Sequence, residues 1–421
     1  MSDDARRAAE RSAREHYGRL LSILAASARD IVAAEDALAD ALAAALRDWP
    51  AKGVPASPEA WLLTVARRRL VDGVRRRQSA DAALEQLAWL SQGAEPTGPG
   101  FPDARLKLLF VCAHPAIDPS VRAPLMLQTV LGFTAEEVAP FFLVSAASMS
   151  QRLVRAKRKL RDAGVAFRIP EPEELPDRLD VVLEAIYALF TQGWATSFDR
   201  GEQRRELASE ALWLARLTAE LCPDQPEALG LQALILHAWA RDGARRDGEG
   251  AFTPLSQQDT TRWDDAMIEE AEHVLLRAAR LGRLGRFQLE GAIQSAHAAR
   301  RRTGLTDWRA ILSLYDALCA LAPSPAAEVN RCVALSHVEG PGAALARLSG
   351  LSADPRLHAY QPYWAALADL SGRTGDQAAA RAAYDRAIAL QPDPAVRTFL
   401  ADRRDAIGAA TTGTPRAPGR A

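Results

Sequence analysis

Two dense basic runs are the residues of this 421-residue chain best suited to chemistry, and the chemistry they suit is the binding of phosphates. One run, Arg67, Arg68, Arg69, Arg75, Arg76 and Arg77, sets six guanidinium groups within 11 residues against one acid, Asp72. Each phosphate that such a run neutralises on a duplex adds about −0.9 to the log–log salt dependence of binding. Cations also gather at helix ends because they complement the dipole, so this run alone leaves a solvated helix face open as the alternative. The other run, Arg152, Arg155, Lys157, Arg158, Lys159 and Arg161, follows the small and polar residues Ala146, Ala147, Ser148, Ser150 and Gln151. Small side chains admit a helix end to a major groove, where Ser and Gln read base edges. Only those opening turns can carry sequence information; the basic residues beyond them position the helix on phosphates. A basic amphipathic helix can also be a surface for a protein partner.

Other chemistry finds little support. Glu269 and Glu270 with His273, and Asp259 near Arg262, are the conspicuous polar clusters elsewhere, and they read as solvated helix faces. No P-loop, GxGxxG or nucleophile elbow occurs. The four cysteines, Cys112, Cys222, Cys319 and Cys332, form no CxxC pair; Cys112-Ala113-His114 is the nearest approach to a ligand cluster. Neither a disulfide scaffold nor a zinc site is indicated, so the expectation is no catalytic residue, no metal and no cofactor. The N-terminus is charged without an apolar core segment, and no 18-residue apolar run follows, which predicts a cytoplasmic protein with no membrane partner.

The elements that must position these residues are helical. Only four of the 52 basic residues are Lys, and the resulting Arg excess, with abundant Ala, favours helix, while period-two runs of Val, Ile and Thr are missing. The fold class expected is all-α. The net charge of −1 hides an asymmetry, +5 over residues 1–169 and −6 over residues 170–421, so a nucleic-acid partner belongs to the first part. Asp30 to Pro50 carries Ile31, Leu38, Leu42 and Leu46 at helical spacing, with Asp36 and Asp40 four apart. Ser57-Pro58-Glu59 then starts the helix that bears the first basic run. Thr134 and Glu137 fit a capping box opening a short helix to Phe142; after a break at Leu143-Val144, Ser145 caps the second basic helix, which stops at Gly164. Helix, short turn and capped helix make a helix-turn-helix.

These residues together resemble a known family. Ala34 to Leu42, followed by Ser57 to Arg69 and the run to Arg77, is similar to region 2 of extracytoplasmic-function (ECF) sigma factors of bacterial RNA polymerase. Thr134 to Leu160, ending in Ser150-Gln151-Arg152-Leu153-Val154-Arg155-Ala156-Lys157-Arg158-Lys159-Leu160, resembles region 4 of the same family. The resemblance implies region 2 over residues 15–78, a flexible Gly/Pro-containing linker over 79–102, and region 4 over 103–168. It implies core RNA polymerase and promoter DNA as partners. Glu35, Asp36 and Asp40 would dock on the polymerase, Arg67, Arg68, Arg69, Arg75 and Arg76 would engage the −10 element, and Ala147, Ser148, Ser150, Gln151, Arg152, Arg155, Lys157, Arg158 and Lys159 would engage the −35 element. A helix-turn-helix regulator that senses a ligand and acts without polymerase is the alternative reading.

Residues 176–405 read as a series of amphipathic helices, with a compositionally disordered tail over 406–421. Trp364, Leu367, Ala368, Gly375-Asp376, Ala380, Tyr384, Ala387 and Pro392 match the tetratricopeptide pattern, in which small residues let paired helices approach closely. Weaker relatives run from Pro325 to Leu348 and from Thr306, as cap, to Pro323, with Trp308, Leu312, Tyr315 and Leu318 as the stripe. Pro226 to Arg241 and Asp264 to Leu281 read as a helix pair around a long insertion ending at Trp263. The whole chain resembles the ECF subgroup with a C-terminal helical-repeat extension, in which Phe190 to Trp194, Gln258-Asp259, Arg262 and Trp263 correspond to recurrent motifs. The extension is expected to bind a protein or a small ligand.

Overall fold

A computed structural model describes residues 16–28, 30–77, 104–142, 144–165, 174–195 and 201–409. The fold is all-α, and among the described residues there is no strand beyond one isolated bridge, Arg246 to Phe252. The chain divides into two compact units, residues 1–186 and 187–421. The expected linker lies outside the described residues, as does the tail beyond Ala409; residues 406–409, expected in that tail, instead continue the last helix.

In the first unit, α1 (residues 16–28) buries Leu20, Leu21, Leu24 and Ala25. Asp30 caps α2 (Ile31–Lys52), its carboxylate accepting from the amides of Val32 and Ala33. The buried stripe of α2 is Ile31, Ala34, Leu38, Ala41, Ala45 and Trp49, whereas Leu46, expected on it, is half exposed. The alanines win that face because α3 (Pro58–Arg77) packs close, burying Leu62, Ala66 and Leu70 with Trp61 edge-on to Trp49 at 5.5 Å. Next come α4 (Ala104–Cys112) and α5 (Pro119–Leu131), the latter capped by Asp118 and closed by Gly132 in the left-handed region. Thr134 and Glu137 make both bonds of the capping box on α6 (Ala135–Val138). The helix expected to run to Phe142 tightens into a 3₁₀ turn at Ala139–Phe142, where Pro140 has no N–H to donate. Ser145 accepts from the Ser148 amide and starts α7 (Ala146–Asp162). Met149, Leu153, Ala156 and Leu160 are buried as the spacing predicts.

α8 (Leu175–Ala195) leads to the second unit, with α9 (Gly201–Leu221) and α10 (Pro226–Trp239). Phe190 is buried; the side chains from Gln192 to Trp194 lie outside the described residues. α10 is buried on nearly every side and packs against α11 (Asp265–Arg280) and α12 (Arg286–Ala298). A Cβ on Gly230 would lie 2.5 Å from the Gln288 amide nitrogen, so only glycine permits that crossing. Glu227 of α10 in turn accepts from the Phe287 and Gln288 amides, capping α12 from 60 residues away. After α13 (Arg300–Thr303), α14 (Trp308–Leu321) starts on Asp307, not Thr306: the Asp307 carboxylate takes the Ala310 amide, and the buried stripe centres on Ile311 and Leu318. α15 (Pro325–Val338) pairs with α16 (Pro341–Ser349), and α17 (Gln361–Arg373) with α18 (Gln377–Leu390), before α19 (Pro394–Ala409). In the α17–α18 hairpin, Ala368, Ala380, Tyr384 and Ala387 are buried and Gly375 turns the chain at φ +92°.

Candidate nucleic-acid interface

α7 carries two faces. Its inner face is the buried stripe; its outer face exposes Ala147, Ser150, Gln151, Arg152, Arg155, Arg158 and Lys159, with Ser148 half-buried against its own cap. Among the described residues none of Arg152, Arg155, Arg158 and Lys159 is in an ion pair, though Arg152 and Lys159 lie close enough to Asp118 to help hold its carboxyl below the usual range. Val154 lies among them, 52% exposed. An apolar group at that place suits contact with a thymine methyl, a role that side-chain type alone does not suggest. Its position at i+3 from Gln151 is the signal that marks it.

Lys157 is different from its neighbours. Its Nζ donates to both oxygens of Glu35 on α2, at 2.8 and 2.6 Å, and the two side chains are only 10% and 19% exposed. Desolvation outweighs the attraction of Lys157 and holds the Glu35 carboxyl above the usual carboxylate range. The pair joins one residue expected on DNA to one expected on polymerase. Asp36 and Asp40 remain exposed, one turn apart.

On α3, Arg68 and Arg69 are exposed and Arg67 is half-buried, while the side chains of Arg75 and Arg76 lie outside the described residues. Arg69 sits 3.9 Å from Asp40, both well exposed, a spacing that contributes little in water. Helix α2 runs on through Ala51 and Lys52, expected to open the loop, so the loop starts at Gly53; it is solvent-facing as far as Ala56, with Val54 42% exposed.

The second unit holds no comparable cationic helix among its described residues. Its insertion, residues 241–263, is ordered: Arg262 donates to the Arg246 and Gly243 carbonyls, Arg246 pairs with Asp393 at 2.5 Å, and Phe252 meets Phe399 edge-on. Phe252 closes one side of a groove of about 370 Å³ that also presents Asn330, His337, Asp369 and Arg373. No group of three or more His, Cys, Asp or Glu that could hold a metal occurs among the described residues. No described helix is long and apolar enough to cross a membrane. The four cysteines are free, and burial pushes the Cys112 thiol up to about 12.

Residues 13–80 match sigma-70 region 2, and residues 178–279 match a family of unknown function, DUF6596. The uncharacterized protein R00370 of Rhizobium meliloti (strain 1021) is 37% identical over 389 residues, covering 90% of this chain and 91% of that protein. The chain belongs to the family of that rhizobial protein, and its sigma-70 region 2 gives it a sigma-factor-like role in transcription.

Proposed function

We propose that this chain is an ECF-type sigma factor: it binds core RNA polymerase and directs initiation by recognising −10 and −35 elements. The exposed, unpaired cations of α7 behind a Ser145-capped polar first turn carry this reading, because that arrangement places base-reading groups ahead of phosphate-binding ones. Asp36 and Asp40 supply the acidic face for polymerase. Arg67, Arg68 and Arg69 with the loop before them supply the −10 contacts, Arg75 and Arg76 extending the run. A base drawn from the duplex during melting costs a few kcal/mol and must be held beside basic side chains, a part for which the Arg67 to Arg69 run is suited. The helix pairs of the second unit serve as a tetratricopeptide-like surface for a protein or small ligand that modulates initiation, and the groove lined by Phe252 is one concavity on it.

The test is run-off transcription with purified core polymerase and promoters selected from genomic fragments. Start-site-specific transcripts that depend on both proteins are expected. Tight duplex binding by the chain alone, with no transcript when core enzyme is added, would instead support a regulator that acts without being a polymerase subunit.

A further inference from the structure

Just past α10, Arg241 is a buried cation without an anion. It is only 7% exposed. Its Nη2 donates to the side-chain oxygen of Gln294 on α12, while Nη1, sealed from water, meets no acceptor among the described residues. The groups around it add positive charge. Burial first, then Arg245 and Arg300, bring its pKa down from 12.5 to about 10; burial, then Arg241 and Arg300, bring His297 down to about 4. The carboxylates close by are engaged elsewhere. Glu290, one turn from Gln294, accepts from Arg286 at 2.8 Å, and Glu272, beside His237 one turn before Arg241, accepts from Ser295 at 2.5 Å. Trp308 stands against both His297, edge-on at 5.6 Å, and His337, stacked at 3.8 Å, and His337 lines the groove of about 370 Å³.

We propose that Arg241 anchors a site for a small oxyanion, the phosphate or carboxylate group of a small molecule. A charge taken out of water is tolerated when it is paired, and here the chain supplies no partner, so the partner comes from solution. An anionic oxygen on Nη1 makes a charge-assisted bond, and the fields of Arg245 and Arg300 favour negative charge at that point. Because Nη1 is out of reach of bulk water, the anion must be small and must shed its own hydration, which excludes a nucleic-acid backbone. The site gives a ligand class to the role proposed above for the second unit, and its bearing on initiation rests on that reading. The site itself does not require that the chain serve polymerase.

Hydrogen exchange on the full-length chain, read at the amides of α10 and α12, tests this, with inorganic phosphate and acetate as probes and sodium chloride at equal ionic strength as the control. Either anion at about ten times its dissociation constant should slow exchange there about tenfold, the factor expected when only the folded form binds. Arg241→Met, an apolar chain of similar reach, should abolish that slowing without faster exchange in chloride. Gln294→Leu removes the protein partner and leaves the cation, so its response to anions should survive. No slowing by either anion, or the same slowing in Arg241→Met, overturns the site. Faster exchange of Arg241→Met in chloride, with Gln294→Leu equally fast and equally unresponsive to anions, would show that Arg241 only ties α10 to α12, and overturns it too. Slowing as expected, with run-off transcription the same for wild type and Arg241→Met, keeps the site and removes the modulation proposed for the second unit.

Discussion

Arg300 lays its guanidinium over the indole of Trp263, 5.2 Å from the ring centroid, while donating to the carbonyls of Ser256 and Gln258. Trp263 is itself buried and donates to the Gln258 side chain. One side chain from α13 thus gathers three points of the 241–263 insertion, which has little regular structure of its own to hold it. Replacing Arg300 by Ala should cost about 2 kcal/mol, from two charge-assisted bonds and the ring contact. Limited proteolysis should then cut within 241–263 faster than in the wild type. Arg300→Lys should be intermediate, since the shorter ammonium keeps the charge but lacks the planar fork whose two nitrogens reach the two carbonyls and whose plane covers the indole; a cleavage rate unchanged in both variants would contradict this role.

For the Lys157–Glu35 pair, removing one partner should cost more than removing both. Lys157→Met leaves a shielded carboxylate without its cation, a loss of about 3 kcal/mol, whereas Lys157→Met with Glu35→Leu replaces both charges by apolar volume and should recover most of it. Because two units unfold in this chain, hydrogen exchange at α2 and α7 amides is the suitable measurement. Additive losses in the double variant would show that the pair is not coupled.

Within α7 the cations and the small polar residues should have separable effects on promoter binding by the polymerase complex. Arg155→Glu with Arg158→Glu should weaken every promoter alike and make the salt dependence shallower, by about 1 for each phosphate that is no longer neutralised. Changing Ser150 or Gln151 should alter preference among −35 sequences by about 1–3 kcal/mol per base pair while leaving the salt slope alone. Salt titrations on a panel of −35 variants distinguish the two. Equal weakening on all sequences from both sets would remove the division of labour.

The second unit should lose stability on mild acidification through His237. This imidazole is fully buried, and burial followed by the neighbouring Arg241 lowers its pKa from the ordinary 6.5 to about 3. Its Nε2 lies 3.4 Å from Glu272 without a hydrogen bond, so at neutral pH the contact is not an ion pair. Below pH 6.5 the unfolded chain takes up the proton that the native state refuses. The contribution is therefore complete above about 6.5 and falls by about 1.4 kcal/mol per pH unit down to the native value. Denaturation of the second unit between about pH 4.5 and 7 should show this slope in the wild type and a shallower one in His237→Leu. Equal slopes would mean that the site protonates at its ordinary pH.

Much of the local architecture is legible in the amino-acid order because it is made by bonds that reach only three or four residues. The Thr134–Glu137 box, the Ser145 cap and the positive-φ turn at Gly375 are all such cases. So is the buried stripe of α7, since 3.6 residues per turn fixes which side chains share a face. What the order by itself determined was where most helices start and stop and which of them carry cations. It could not settle which alanines of α2 are buried, since Ala34, Ala41 and Ala45 owe their burial to close-packed neighbours rather than to any hydrophobic excess over Leu46. Nor could it separate Lys157 from Lys159, two like residues two positions apart. One faces Glu35, 122 residues away, and the other faces water. Only the tertiary structure decides that, because a buried ion pair depends on which helices come to lie against each other and not on the periodicity of either.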